Sequence, residues 1–259
     1  MAAPKQEAII PKELVDQLLA AASVKLVLVG GQALKLWMDR YDVKMPARIA
    51  YVSRDVDFLA ESSADTDSVR RLARTLGGRA IFPKRRAALT ALVGQAVKEI
   101  SEDEVFNVDV IHRVFGADDS VRTRAAEVSM TDVTFRVMHP LDVLKSRLDN
   151  LAGLTEKQNE LGKAQLQAAI AVARAFQREA AAAENKPNAR RPVTLRYAGF
   201  IERLAEGTAG KKVAARYRIF VADAIDPASI PSREFRDKRL PRLAKLMSQE
   251  RRRELGLSS

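Results

Sequence analysis

The sequence predicts an α+β fold in which a mixed β-sheet flanked by helices is followed by a helical C-terminal region. Short β-branched apolar runs alternate with helical segments as far as His139, a pattern typical of a sheet covered by helices. From Pro140 onwards only helical patterns follow. Basic residues are concentrated towards the C-terminal end, which distinguishes that region from the rest of the chain.

The first unit of the sheet region is a strand, a glycine turn and a helix. Residues 24–29 form a β-branched apolar run that ends at Gly30 and Gly31. Residues 33–40 then carry helix formers, with apolar side chains spaced for one buried face. The two glycines therefore lie where a strand is expected to end and a helix to begin.

The remaining elements follow from the same kinds of pattern. Alternating or β-branched segments predict strands at 51–60, 80–82, 105–114 and 133–137. Helical patterns are found at 14–22, 67–76, 141–151, 161–184, 193–206, 211–224 and 233–254. The strand at 133–137 is expected to pair with the strand at 105–114, and residues 41–50 are expected to form a loop.

Three parts of the chain are expected from this succession. Residues 1–139 would form the sheet domain, and residues 140–185 a helical extension to it. Residues 186–259 would form a basic helical region. A segment rich in proline and asparagine, at 185–192, is the expected linker before that region.

Composition excludes several classes of protein. The 259 residues include 47% hydrophobic and 30% charged residues, which is usual for a globular chain with a buried core. There is no cysteine, so disulfides, thiolate metal sites and cysteine nucleophiles are excluded. No apolar run approaches the roughly 20 residues of a membrane span, and residues 1–11 show no secretory pattern. A cytoplasmic protein with no membrane partner is therefore expected.

The positive charge of the chain is unevenly distributed. Residues 186–259 contain 18 Lys and Arg against 8 Asp and Glu, whereas residues 1–185 contain 26 against 25. A basic region of this kind favours attraction to a polyanion, most often a nucleic acid. A solubilising helical surface is the alternative that charge alone leaves open.

Two acidic residues lie two positions apart in a segment expected to be a strand. Side chains at such positions, here Asp55 and Asp57, point to one face and lie roughly 6.5 Å apart at the backbone. Because two like charges repel at that spacing, the pair indicates a cation site. Mg²⁺ suits carboxylate oxygens and substrate phosphates, with Mn²⁺ as the alternative ion. An ordinary solvated strand face is the other interpretation.

Two further features add to this pair. Gly30 and Gly31 lie where backbone amides at a helix N-terminus could face a phosphate, and glycine permits close approach. Asp109 lies between two valines in an expected strand, with the valines pointing the other way. A charged residue in that position needs water, a polar partner or a metal ion. The candidate catalytic and metal-binding residues are Asp55, Asp57 and Asp109.

Together, the glycine pair, the Asp-x-Asp strand and the later strand with a third Asp resemble the nucleotidyltransferases of the DNA polymerase beta superfamily. Residues 28–34 and 53–58 are similar to signature segments of the AbiE-type abortive-infection toxin group. The resemblance is specific over residues 24–58, fair over 105–166 and absent from the basic region. It implies a nucleotidyltransferase-type sheet and transfer of a nucleoside monophosphate from a nucleoside triphosphate, with release of pyrophosphate.

The resemblance also implies roles for single residues and for the parts of the chain. Asp55 and Asp57 would bind the metal ions, and Asp109 would be the third ligand and the base for the attacking group. The triphosphate would be bordered by Gly30, Gly31 and Ser53. Residues 1–139 would then be the catalytic domain, and residues 140–185 would complete the nucleotide site.

The helix after Pro140 also resembles a segment of that group. Residues 139–145 look like the segment whose lysine is directed at the nucleotide, so Lys145 is the expected phosphate contact; a solvated lysine is the alternative. The next helix departs from the group, because Lys163 and its neighbours stand where acidic residues are usual. If that acid activates the acceptor, its loss puts turnover or acceptor choice in question.

The leading functional expectation is an enzyme that transfers a nucleotide to a macromolecule. RNA, such as tRNA, would suit the basic region, although a protein hydroxyl or a small alcohol would be reached by the same catalytic core. The resemblance adds a role as a toxin or phage-defence component, with an antitoxin as partner. The alternative is a non-catalytic nucleic-acid-binding or toxin-neutralising module that retains the fold.

Overall fold

A computed structural model describes residues 5–49, 53–83, 91–130, 133–184 and 192–257. Over these ranges the chain forms an α+β fold, with an eight-stranded mixed sheet, flanking helices and a helical C-terminal region. The predicted fold class is confirmed at that level. None of the described helices combines the length and the apolar composition that crossing a membrane requires.

The sheet is assembled from strands that are distant in sequence. Its strands are β1 (Gln6–Glu7), β2 (Val27–Val29), β3 (Val56–Leu59), β4 (Arg79–Ile81), β5 (Leu92–Glu99), β6 (Glu104–Ile111), β7 (Ala126–Met130) and β8 (Val133–Val137). Their order across the sheet is β4-β5-β6-β3-β2-β8-β7, and β1 also pairs with β6. The pairs β1 with β6, β3 with β6, and β2 with β8 are parallel, and the other pairs are antiparallel.

Helices make up most of the remaining structure. They are α1 (Lys12–Ala22), α2 (Gly30–Arg40), α3 (Thr66–Leu76), α4 (Val121–Arg124), α5 (Pro140–Gly153), α6 (Glu160–Ala183), α7 (Val193–Glu206), α8 (Thr208–Tyr217), α9 (Leu240–Ala244) and α10 (Gln249–Glu254). The second half of the chain also has 3-10 turns, among them Val221–Ala224.

The chain divides into two compact units. The first contains Met1–Leu36 and Ala50–Val143, and the second contains Trp37–Ile49 and Leu144–Ser259. All eight strands belong to the first unit, whereas α6 to α10 belong to the second. Helices α2 and α5 each run without interruption across a boundary between the units.

The core of the first unit lies between the sheet and helices α1 and α3. Phe58, Val108 and Val110 on the central strands are at most 1% exposed. Gly94 of β5 is the register partner of Val110, and it lies against the side chain of Val69 in α3. Because successive side chains of a strand alternate between faces, the odd-numbered residues of β3 and β6 lie on the face opposite α3.

Two long predicted helices are confirmed, and each has a polar cap at its start. Asp65 Oδ1 accepts a hydrogen bond from the Ser68 amide (3.2 Å) at the start of α3, and Gly77 ends that helix with a left-handed φ of 69°. Asn159 Oδ1 accepts from the Gly162 amide (2.9 Å) at the start of α6. With 24 residues, α6 is about 36 Å long.

The second unit is held together around α6. The buried Gln177 donates to the Ala224 carbonyl (2.6 Å), and Arg174 donates to the Asp223 carbonyl, so the Val221–Ala224 turn is fixed to α6. Asp226, which is 4% exposed, accepts from Arg178 Nε (3.0 Å) and from Ser229 Oγ (2.7 Å). Hydrogen bonds and ion pairs of the turn segments therefore lock this part of the helical region.

One expectation about strand pairing is wrong. The strand at Val133–Val137 pairs with β2 and β7 and not with the strand at Glu104–Ile111. The physical reason is that β6 already has β5 on one side and β3 with β1 on the other. Strands β1, β5 and β7 were not predicted.

Two helix predictions are wrong in part. The helix expected at 211–224 ends at Tyr217, because Arg218 adopts a left-handed φ of 58°. The helix expected at 233–254 is divided into a π-helical turn at Phe235–Arg239 followed by α9 and α10, with Ser248 capping the last of these. The expected linker lies, apart from Pro192, outside the described residues.

Candidate acidic site on the central strands

The turn between β2 and α2 depends on its two glycines. Gly30 has a left-handed φ of 68°, a conformation that disfavours residues with a Cβ. A Cβ on Gly30 would collide with Asp57 Oδ2, and a Cβ on Gly31 would collide with the side chain of Ser53. The absence of side chains at both positions therefore lets the turn pack directly against the acid-bearing segment.

Asp57 lies in the middle of the sheet, with β2 on one side and β6 on the other. Its register partners are Val29 in β2 and Asp109 in β6. Side chains at paired positions of neighbouring strands point to the same face, and the strands are about 4.8 Å apart. The structure thus brings Asp57 and Asp109 side by side, on the face opposite α3.

Asp55 lies one residue before β3, so the expectation that it belongs to the same strand as Asp57 is wrong. It occupies a bend immediately before Val56, where β3 begins. The last residue pair between β2 and β3 is Val29 with Asp57, because the chain turns into α2 at Gly30. Asp55 therefore has no pairing partner in β2. Ser53 Oγ donates to Asp55 Oδ1 (2.5 Å), which fixes the carboxylate at this bend.

Asp109 is the acid whose surroundings are best defined. Its Oδ1 accepts hydrogen bonds from Gln95 Nε2 (2.9 Å) and Asn107 Nδ2 (3.0 Å). Burial raises the pKa of Asp109, the two hydrogen bonds oppose that rise, and repulsion from Asp55 adds to it. Asp55 and Asp109 are therefore close enough to interact electrostatically, and a cation beside them would favour the ionised form.

Three residues next to these acids were not expected to belong to the site: Glu7, Gln95 and Asn107. Asn107 is 5% exposed and also donates to Glu7 Oε1 (2.9 Å). One signal was present in the sequence, because Asn107 lies two positions before Asp109 and so on the same strand face. Glu7 and Gln95 come from β1 and β5, which were not predicted, and nothing local marked them.

The expected phosphate contact, Lys145, lies in the part of α5 that belongs to the second unit. Its Nζ donates to Asp149 Oδ2 (2.7 Å), one helical turn further on. Lys163 pairs in the same unit with Glu160 (2.6 Å) at the start of α6. The nucleotide-binding role of Lys145 stays a prediction.

The donor chemistry of the acids fits a hard divalent cation. Carboxylate oxygens are the ligands that Mg²⁺ and Mn²⁺ prefer, and Asp57 and Asp109 present theirs from adjacent strands. Among the residues that the structure describes, no three acidic, histidine or cysteine side chains are already grouped as ion ligands. The fit therefore rests on the paired register and on the glycine turn that Asp57 touches.

A cavity in the first unit lies apart from these acids. It is lined by residues that follow the carboxyl ends of β3 and β6, among them Glu61, His112, Asp118 and Arg122. Asp55, by contrast, precedes the amino end of β3. None of the three candidate acids lines this cavity.

Comparisons of this chain with protein-family models, with curated proteins and with solved structures find no match.

Proposed function

We propose that the chain is a metal-dependent nucleotidyltransferase, which transfers a nucleoside monophosphate from a nucleoside triphosphate to a macromolecular acceptor and releases pyrophosphate. The observation that carries this proposal is the paired register of Asp57 and Asp109, with Asp57 against the Gly30 turn. Phosphoryl transfer depends on positioning and on neutralising phosphate charge. Acids on one sheet face beside a glycine-lined helix N-terminus supply what both tasks need.

Each residue of the site would have its own task in this reaction. Asp55, Asp57 and Asp109 would hold Mg²⁺ or Mn²⁺, which when bound neutralises triphosphate charge and lowers the pKa of an attacking hydroxyl. Asp109 would accept the proton of that hydroxyl. The triphosphate would approach the backbone at Gly30 and Gly31 and hydrogen-bond near Ser53.

Lys145 is proposed as a contact to the phosphates of the nucleotide. Its side chain is 29% exposed, and its ammonium group already binds one anionic oxygen, that of Asp149, so a phosphate oxygen would be a chemically equivalent partner. The variant Lys145→Met should therefore raise the KM for the triphosphate more than it lowers kcat.

RNA, such as tRNA, is the acceptor that we propose, because of the basic charge beyond residue 186. Exposed basic side chains recur along this region, including Lys211, Arg216, Arg236, Arg242 and Lys245. Contacts to phosphates release counterions, so RNA binding should weaken steeply as salt is raised. A role as a toxin or phage-defence component, controlled by an antitoxin, would be consistent with this activity.

The deciding experiment incubates the purified protein with each radiolabelled triphosphate, Mg²⁺ or Mn²⁺ and a total cell extract. We expect one class of macromolecule to become labelled, and Asp57→Asn to reduce the rate by about two to three orders of magnitude or more. Asp67→Asn is the matched control, since Asp67 is an acid of the same unit whose side chain is 92% exposed. A folded Asp57→Asn protein that labels its acceptor at the wild-type rate would refute the proposal.

A second candidate function is a nucleic-acid-binding or toxin-neutralising module without turnover. The observation in its favour is Lys163, which pairs with Glu160 at a position where the resemblance leads one to expect an acid. This module should bind RNA in a salt-sensitive manner, with or without Asp55→Asn, and should incorporate none of the four nucleotides. Tight RNA binding combined with no labelling under any condition would favour it over the enzyme.

A further inference from the structure

Asp109 is held by a pair of amide side chains, Gln95 and Asn107, which we call the amide pair. We propose that the amide pair positions the Asp109 carboxylate for binding a divalent cation, and that Glu7 holds the pair in place by accepting a hydrogen bond from Asn107. The proposal rests on the function proposed above and adds positioning residues to it. It follows from the hydrogen bonds around Asp109, from strand register and from burial.

Asn107 connects two carboxylates. Its Nδ2 donates to Asp109 Oδ1 (3.0 Å) and to Glu7 Oε1 (2.9 Å), so both hydrogens of its amide nitrogen are used. Only the nitrogen end of the amide can satisfy two acceptors, and this determines which way the side chain is turned. Gln95 Nε2 approaches the other end, Asn107 Oδ1 (3.4 Å). The side chain of Asn107 is therefore restrained from both ends.

Gln95 restrains Asp109 from the neighbouring strand. The two residues are register partners in β5 and β6, and Gln95 Nε2 donates to Asp109 Oδ1 (2.9 Å). Both amides of the pair thus bind the same oxygen, and two bonds from different directions fix the rotation of the carboxylate. Asp109, held in this orientation, would bind a cation together with Asp57. The amide pair would therefore preorganise one ligand of the site.

Glu7 has a backbone that is fixed at several points, so its carboxylate is a firm anchor. The adjacent amides of Gln6 and Ala8 donate to the carbonyls of Asp103 (2.7 Å), just before β6, and of Val105 (2.9 Å) in β6. Arg54, next to the acidic bend, donates to the Glu7 carbonyl (3.3 Å). The short strand β1 therefore has a function beyond completing the sheet, because it fixes the residue that orients Asn107.

A purely structural role for these polar residues makes a different prediction. If the network only stabilised the sheet, removing a donor would lower the melting temperature and leave cation affinity unchanged in the protein that stays folded. If it positions Asp109, cation affinity falls by more than the stability of the fold explains. Partners that orient metal ligands typically contribute about 10- to 100-fold to affinity.

The test measures Mn²⁺ binding by the full-length protein, by electron paramagnetic resonance of the free ion, together with thermal melting. Gln95→Met keeps the length of the side chain and removes the donor, and we expect it to weaken Mn²⁺ binding about 10-fold or more. Gln6→Met, an exposed change on β1, is the matched control and should bind as the wild type does. Glu7→Gln retains an acceptor for Asn107 and should restore most of the affinity that Glu7→Ala loses.

The outcomes separate this inference from the function on which it rests. Wild-type Mn²⁺ affinity in folded Gln95→Met and Glu7→Ala proteins would overturn the positioning role and leave the proposed enzyme intact. A wild-type protein that binds neither Mn²⁺ nor Mg²⁺ would overturn both. Should Gln95→Met fail to fold, Glu7→Ala and Glu7→Gln decide the question, since equal binding by these two variants would refute the role of Glu7 as anchor.

Discussion

The carboxylate of Asp57 occupies the space in which any residue other than glycine at position 30 would carry its Cβ. The turn after β2 and the acid of β3 are therefore fitted to each other. The same contact places the carboxylate at the start of α2, where the helix dipole favours a negative charge.

Replacing Gly30 with alanine should destabilise the first unit for two separate reasons. The left-handed φ of 68° costs about 1–2 kcal/mol for a residue with a Cβ, and the collision with Asp57 adds to that cost. Gly256→Ala is the matched control, because its φ is 66° and no described atom lies within 4 Å of an added Cβ. Urea denaturation should show a larger decrease in the free energy of unfolding for Gly30→Ala than for Gly256→Ala. Equal decreases would refute the steric argument.

Replacing Asp109 with asparagine should stabilise the protein near neutral pH. Because burial and Asp55 raise the pKa of Asp109, the folded state favours the protonated acid. The stability that the protonated acid adds to the folded state is fully present below the ordinary pKa, about 3.9. It is lost as pH rises through the raised pKa of the folded state. Asparagine keeps an acceptor for Gln95 and Asn107 without the charge. In the presence of a chelator, Asp109→Asn should melt at a higher temperature than the wild type at pH 7, and the difference should shrink towards pH 4. A lower melting temperature for Asp109→Asn at pH 7 would contradict the claim that the folded state raises the pKa of Asp109.

Removing Arg124 should leave a buried charge without its partner. Arg124 forms two hydrogen bonds with Asp142, through Nε (2.9 Å) and Nη2 (2.7 Å), and the Asp142 side chain is 2% exposed. Breaking a buried pair from one side costs about 3 kcal/mol. Arg70→Met, which breaks an exposed pair with Asp67, should cost less than about 1 kcal/mol. Chemical denaturation measures the free energy of unfolding of the variant that lacks Arg124 and of Arg70→Met. Similar losses in the two variants would argue against a buried pair between Arg124 and Asp142.

Asp226 should contribute as much to the stability of the second unit as the pair of Arg124 and Asp142 does to that of the first. It is 4% exposed and is bound by Arg178 and Ser229, with Arg251 nearby at 3.7 Å. Asp226→Ala should destabilise this unit by about 3 kcal/mol, because Arg178 and Ser229 would lose their buried acceptor and the buried Arg251 would keep only the half-exposed Glu254 as a counter-charge. Hydrogen exchange should accelerate at amides of α10. Asp237→Ala, which breaks an exposed pair with Arg233, should leave the exchange pattern unchanged.

Elements with strong local patterns could be predicted from the sequence. The run before Gly30 gave a strand followed by a helix, and α6 was predicted within one residue at each end. Strand β5 was missed because Gly94, Gln95 and Ala96 in its centre have low β-propensity, and its place in the sheet depends on β4 and β6. Arg218, a left-handed residue other than glycine, ended α8 without a local signal.

The same distinction applies to the candidate site. Asp57, Asp109 and the glycine turn were each marked by local patterns, whereas the expectation that they lie together came from the family resemblance; the register of β3 and β6 places Asp57 beside Asp109. The position of Asp55 before the strand depended on where the β2 ladder ends, which is a tertiary property. Glu7 and Gln95 reach the site only through strand pairing over long sequence separations, so periodicity alone could not reveal them.

The way the two units alternate along the chain has a consequence for obtaining either of them separately. Residues Trp37–Ile49 of the second unit lie, in sequence, between the two stretches of the first, and the boundaries after Leu36 and after Val143 fall inside α2 and α5. A truncation after Val143 would therefore keep all of the first unit but also a fragment of the second, and it would cut α5. Any continuous segment that holds all of the second unit must also carry Ala50–Val143 of the first.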